Sequence, residues 1–156
     1  MITLLYATVS GRAESLALAA AERLRSIGKR VEVHNVSHFP VHTLEGTRLA
    51  LFVASSWGDG ATPPDAIEFC RQLESPKLKF PQLTYAVLAL GEGSEQKHVG
   101  CGWRIDMALE SRGARRILPR WNCDRNSLVE FEVWLRTVEA VLTTPRLAQD
   151  RQLKLA

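Results

Sequence analysis

The chain has 156 residues, 46% hydrophobic and 24% charged, a composition that fits one globular domain and argues against disorder. Its three cysteines, Cys70, Cys101 and Cys123, form no CxxC pair, which excludes a disulfide scaffold or a cysteine-rich zinc site. The formal net charge is +3, and it is unevenly spread: residues 1–100 balance, whereas residues 101–156 hold ten basic residues, nine of them Arg, against seven acidic ones.

No apolar run reaches the roughly 18 residues of a membrane span. The opening run Met1–Ala7 has no basic segment before it and is too short for a signal peptide. The expectation is a soluble protein of a reducing cytoplasm. The arginine-rich third reads either as a surface for nucleic acid or an acidic partner, or as a solvated exterior. Aromatics do not interleave these arginines as single-strand binders require, which favours the exterior and makes nucleic acid a poor partner.

In chain order, residues 2–7 predict a buried strand, broken by Ser10-Gly11-Arg12. Leu16, Ala20, Leu24 and Ile27 recur near the helical period and predict a helix from Ala13 to Ile27, stopped by Gly28. Arg30–Val36 alternates and predicts a half-buried strand. Residues 37–46 read as a short connecting turn or helix. Leu49–Ala54 is a second continuous apolar strand, followed by the loop sequence Ser55-Ser56-Trp57-Gly58-Asp59-Gly60. Pro63-Pro64 opens a helix to about Leu73. Tyr85–Leu90 is a third buried strand, ending in Gly91-Glu92-Gly93-Ser94. A helix is predicted from about Gly102 to Ser111, a short strand from Arg116 to Arg120, and a final helix from Leu128 to Leu142 with Phe131, Trp134 and Val138 on its apolar stripe. Buried strands alternating with amphipathic helices predict a doubly wound α/β domain with a parallel sheet covered on both faces. The domain is expected over residues 1–144, with 145–156 a polar tail.

Ligands of such sheets bind beyond the carboxyl ends of the strands. Three loops lie there: 8–14, 55–62 and 91–99. The first supplies the Thr8 and Ser10 hydroxyls, Gly11 for close backbone approach, and a helix N-terminus suited to a phosphate. It equally suits an ordinary strand-to-helix turn, and it lacks the Gly-Lys-Ser/Thr of a Walker loop. In the second, Trp57 either packs inward or stacks on a ligand. The third, Gly91-x-Gly93-x-x-Gln96, misses the third glycine of a dinucleotide fingerprint.

Taken together, the loops resemble the flavodoxin family. Tyr6-Ala7-Thr8-Val9-Ser10-Gly11-Arg12-Ala13-Glu14 is similar to its phosphate loop. Ser55-Ser56-Trp57-Gly58-Asp59-Gly60 is similar to its first flavin loop, and Leu90-Gly91-Glu92-Gly93-Ser94 with Gly100-Cys101-Gly102 to its second. Gly113-Ala114 before the last strand also fits. The resemblance spans residues 2–142, leaves no room for a long insertion in the last strand, and so implies the short-chain type. The FMN domains of cytochrome P-450 reductase and sulfite reductase are similar.

The resemblance implies a five-stranded sheet of order 2-1-3-4-5 and one non-covalent FMN. Thr8, Val9, Ser10, Gly11, Arg12 and Ala13 would surround the phosphate. Ser55, Ser56, Trp57, Gly58, Asp59 and Gly60, with Leu90, Gly91, Glu92, Glu95, His98 and Gly100, would surround the flavin. Trp57 would flank the ring, Gly58 would turn its carbonyl toward N5, and Asp59 and Glu92 would disfavour the anionic reduced ring.

Three features depart from the family. Glu95 stands where a stacking Tyr is common, and the nearby rings of His98 and Trp103 are not at that position. Arg12 replaces Asn or Thr and either contacts the phosphate or faces water. The chain is basic where flavodoxins are acidic, so the usual docking partners do not carry over directly.

The leading expectation is a monomeric, non-catalytic electron carrier between a flavin- or NADPH-dependent reductase and an acceptor enzyme. The alternative is a flavodoxin-like interaction or regulatory protein with weak or lost FMN binding. A phosphoryl-accepting receiver is set aside, because Tyr6-Ala7-Thr8 and Ala54-Ser55-Ser56 supply none of the acidic residues it needs. An FMN-dependent quinone or azo reductase would need a dimer and a nicotinamide-accessible flavin. His34, His38 and His42 recur every four residues, but a strand pattern and Pro40 interrupt them, so no metal is expected. Cys101 reads as a packed thiol in preference to a redox-sensitive one, and Trp121 as either site-lining or core.

Overall fold

Alternation along the strands decides the architecture. The computed structural model describes residues 1–56, 61–91, 100–124 and 128–144. Strands β1 (Ile2–Ala7), β2 (Val31–Asn35), β3 (Leu49–Ser55) and β4 (Thr84–Gly91) are all parallel, in the order β2-β1-β3-β4. The fifth position is filled by two segments, β5 (Arg115–Arg116) and β6 (Trp121–Asp124), each parallel to β4. This is the expected 2-1-3-4-5 order.

Successive side chains point to opposite faces, and each face meets its own helices. Leu5, Ala7, Phe52, Tyr85 and Val87 pack on helices α2 (Ile67–Leu73) and α3 (Cys101–Ser111). Leu4, Leu51, Val53, Ala86 and Leu88 pack on helices α1 (Arg12–Ser26) and α4 (Leu128–Thr143). Four buried alanines on α1, Ala13, Ala17, Ala20 and Ala21, let that helix lie close to the sheet. Trp134, Phe131 and Val138 on α4 are buried, as their spacing predicts. Residues 37–46 contribute short 3-10 turns, Val36–His38 and Val41–Gly46, in place of a crossover α-helix. A third 3-10 turn, Pro64–Ala66, leads into α2.

Two expectations need correction. Ile27 is 40% exposed, because α1 ends at Ser26 and the chain turns out through Gly28, whose N–H bonds Arg25 O at 3.0 Å. The last strand is not Arg116–Arg120. Ile117 N–H still reaches Tyr85 O at 2.8 Å, but pairing resumes only at Trp121 opposite Leu88. Four residues, 117–120, thus face two on β4. Pro119 has no N–H to give the ladder, so the strand bulges there. The bulge buries Leu118 on the α4 face and carries Arg120 to Asp106 of α3, at 2.7 Å.

The arginine-rich third is also less free than an exterior reading implies. Arg104 pairs with Glu74, Arg116 with Asp106 and Glu110, Arg120 with Asp106, and Arg136 with Glu132. Arg112 donates to the carbonyls of Glu74 and Ser75. Much of this charge is spent within the fold.

Candidate functional site

The carboxyl ends of β1, β3 and β4 lie side by side, with Ala7 opposite Ala54 and Ser55 opposite Leu90. The ends of these three strands therefore fall on one edge of the sheet.

At β1, the chain leaves Ala7 and enters α1 at Arg12. Gly11 makes this turn at φ +85°, a left-handed conformation that side chains disfavour. The Thr8 hydroxyl accepts the Gly11 N–H at 2.9 Å, which consumes its usual capping capacity. No side chain caps α1, so its first-turn N–H groups point into the loop without a side-chain acceptor. Val9 and Ser10 are exposed, Thr8, Gly11 and Arg12 half-buried, and Ala13 buried. The Arg12 Nε is buried with no hydrogen-bond partner. An uncapped helix N-terminus beside a partnerless guanidinium nitrogen fits a phosphate. Burial, together with the Glu14 charge, pushes the nearby Tyr6 hydroxyl up, against a lowering hydrogen bond from Asn35.

At β3 and β4, Ser55 and Ser56 are both buried. Ser56 joins three elements: its N–H bonds Leu90 O at 3.0 Å, and its hydroxyl accepts the Cys101 N–H at 2.9 Å. It thereby fixes the end of β3 to the end of β4 and to the start of α3. Gly91 ends β4, and Gly100 precedes α3 without a side-chain cap. Arg104 adds a second tie, with Nη1 donating to Thr62 at 2.9 Å and Nη2 to Glu74. Long-range pairs of this kind leave no mark on local sequence, and Arg104 and Thr62 were not among the sequence-based candidates.

Trp57, Gly58, Asp59, Gly60, Glu92, Glu95 and His98 lie outside the described residues. Trp103 is half-buried on α3, and Trp121 packs half-buried against the α4 face of the sheet. Cys101 is buried in the core, as a packed thiol should be. His34, His38 and His42 fall on β2 and two separate 3-10 turns, and no metal-holding group occurs among the described residues. No described helix is long and apolar enough to cross a membrane.

A doubly wound parallel sheet of order 2-1-3-4-5, whose first strand turns through Gly11 into an uncapped helix at the carboxyl edge, defines the class of nucleotide- and flavin-binding α/β folds. The flavodoxin sequence profile matches residues 4–133, and the chain belongs to that family. It is an FMN-binding electron-transfer protein, which the match favours over an interaction protein without flavin.

Among similar proteins, the sulfite reductase [NADPH] flavoprotein alpha-component of Bacillus subtilis is 34% identical over 140 residues, 88% of this chain and 23% of the relative. That of Shewanella sp. (strain MR-7) is 35% identical over 124 residues, 79% of this chain and 20% of the relative. The chain thus spans about a fifth to a quarter of these relatives. Oxidised flavodoxin 2 from Bacillus cereus superposes with a TM-score of 0.76 at 20% identity, covering 90% of this chain and 97% of that one. A Streptococcus pneumonia TIGR4 flavodoxin does so with a TM-score of 0.74, also at 20% identity and with the same coverage.

Proposed function

We propose that the FMN phosphate is held at the start of α1 by Thr8, Val9, Ser10, Gly11, Arg12 and Ala13. The flavin is held between the loops that contain Ser55–Gly60 and Leu90–Gly100. The observation that carries this reading is the uncapped N-terminus of α1 with the buried, partnerless Arg12 Nε beside it. Backbone N–H groups and the guanidinium supply positive potential where a dianion would sit. Ser56, bonded to Leu90 and Cys101, ties the end of β3 to the end of β4 and the start of α3, the points from which the two flavin loops depart. Bound FMN supplies one-electron chemistry, so the protein needs no acid, base or nucleophile.

The partners in this reading are an NADPH- or flavin-dependent reductase as donor and an acceptor enzyme, as the relatives' names fit. The chain acts as a monomeric, cytoplasmic electron-carrying module. The test is titration of the purified protein with FMN and with riboflavin, followed by flavin fluorescence, and then stepwise anaerobic reduction. Stoichiometric FMN binding, much weaker riboflavin binding and two resolved one-electron steps are expected. Equal affinities for the two flavins would refute the phosphate assignment.

A further inference from the structure

Arg104, Arg116 and Arg120 are spent on carboxylates within the fold, but another set of arginines is not. Arg30, Arg48 and Arg115 stand at the amino ends of β2, β3 and β5. Arg30 O accepts the Ile2 N–H and Arg48 O the Thr84 N–H, both at 2.8 Å, and Arg115 lies opposite Thr84. All three residues are exposed, and none of their side chains has a hydrogen bond or ion pair among the described residues. The sheet order puts them on alternate strands, at steps of about 10 Å along the edge. Lys29 and Lys79 flank the row, also without an ionic partner among the described residues. Nearby carboxylates are otherwise engaged, Glu74 by Arg104 and Glu110 by Arg116. The opposite, carboxyl edge instead carries Glu14 at the start of α1 and Asp65 in the turn before α2. We propose that the amino edge of the sheet is a docking surface for the acidic face of a partner protein. This inference does not depend on how FMN is held.

The residues at this edge select the kind of partner. Guanidinium forks pair with carboxylates through two parallel N–H···O bonds, so a row of three arginines favours fixed oxyanions over diffuse charge. Glu32 and Glu45 are exposed at the same end. A bilayer that is negative throughout would meet both with repulsion, whereas a protein face can set cations of its own against them. Nucleic acid fits less well. Its phosphates recur about every 3.4 Å along a strand, far more densely than this row. No described aromatic side chain is exposed to stack on a base.

The position of the surface decides what docking there does. β1 has six residues, so the two edges of the sheet lie about 20 Å apart. A partner held at the amino edge leaves the carboxyl edge uncovered. The contact therefore tethers the chain and does not compete with binding at the other end. Its attraction is carried by exposed charge, so it is strongest at low ionic strength.

The test titrates the isotope-labelled full chain at low salt with a synthetic helical peptide carrying Glu at every seventh position, a period of about 10 Å. The same peptide with Gln for Glu, phosphatidylglycerol vesicles and duplex DNA are the comparisons. Amide shifts are expected around Arg30, Arg48 and Arg115 and not at Thr8 to Ala13. They should vanish with the Gln peptide and shrink at about 0.15 M salt. A variant carrying Arg30→Gln, Arg48→Gln and Arg115→Gln should bind the Glu peptide at least about tenfold more weakly. Its thermal midpoint should be unchanged, because none of the three side chains is bonded to another described residue. The proposal is overturned if the Glu peptide produces no shifts, if the shifts fall at the carboxyl edge, or if the triple variant binds as tightly as the wild type. Tighter binding to the vesicles or to DNA than to the Glu peptide also overturns it, and would make the edge a surface for lipid or nucleic acid. The wild-type shift map decides the matter even where the triple variant fails to fold.

Discussion

The Tyr85 hydroxyl donates to Asp106 Oδ1 at 2.6 Å, joining strand β4 to α3 with both side chains out of water. Arg116 Nε reaches the same oxygen at 2.6 Å, and Arg120 Nη1 reaches Oδ2 at 2.7 Å. One buried carboxylate therefore fastens α3 to both sides of the β-bulge. Asp106→Ala is expected to cost about 3–5 kcal/mol, the range for breaking one partner out of a buried ionic group. Urea unfolding measures this directly. A cost under 1 kcal/mol would mean that the bulge holds its place without the carboxylate.

Tyr85→Phe tests the hydroxyl separately. Burial first, and then the hydrogen bond to Asp106 and the charge of Asp106, push the Tyr85 hydroxyl above its ordinary value. A raised folded value means that the group's contribution is complete below the unfolded value of about 10 and is lost as pH rises through the folded one. The variant should be about 1–2 kcal/mol less stable at neutral pH. The gap between the two proteins should narrow above about pH 10. A gap that stays constant or widens with pH would contradict this account.

At Gly102, α3 lies hard against the sheet. A Cβ there would stand 2.5 Å from the Ala89 Cβ and 3.1 Å from its Cα. Gly102→Ala must push α3 away from β4, at a cost of about 1–3 kcal/mol. The neighbouring bond from the Cys101 N–H to Ser56 would loosen with it, so FMN affinity should fall too. Ala89→Gly in the same chain should recover part of the stability, because the nearer clash is with its Cβ. A double variant no more stable than the single one would place the strain elsewhere.

Most of the fold was legible because its elements are locally written. Leu49–Ala54 and Tyr85–Leu90 are apolar runs of strand length, and Leu16, Ala20 and Leu24 repeat with the helical period. The turn from β1 into α1 was legible because Thr8, Ser10 and Gly11 follow a buried strand and precede a helical repeat. What escaped notice depends on distance. Asp106 is an ordinary helix residue until Tyr85, Arg116 and Arg120 surround it. The arginines of the last third look like surface charge until their acceptors, Glu74, Asp106 and Glu110, are known. The bulge at 117–120 was misread because Ile117 and Leu118 extend the apolar signal across a proline that the ladder cannot use.

Arg12 is where this chain departs from its family at the proposed phosphate site. Its Nε is buried and partnerless, whereas Arg104, Arg116 and Arg120 are held by carboxylates. A buried guanidinium nitrogen without an acceptor is costly, and an anion at the start of α1 would relieve that cost. Arg12→Gln should therefore weaken FMN binding by roughly tenfold to a hundredfold, the equivalent of one charge-assisted hydrogen bond of about 1.5–3 kcal/mol. Riboflavin, which has no phosphate, should bind the variant and the wild type alike. Added salt should weaken FMN binding less in the variant, since one ionic contact is gone. Parallel fluorescence titrations at low and high salt check all three. A variant that loses FMN and riboflavin affinity equally would show that Arg12 supports the loop and does not contact the phosphate.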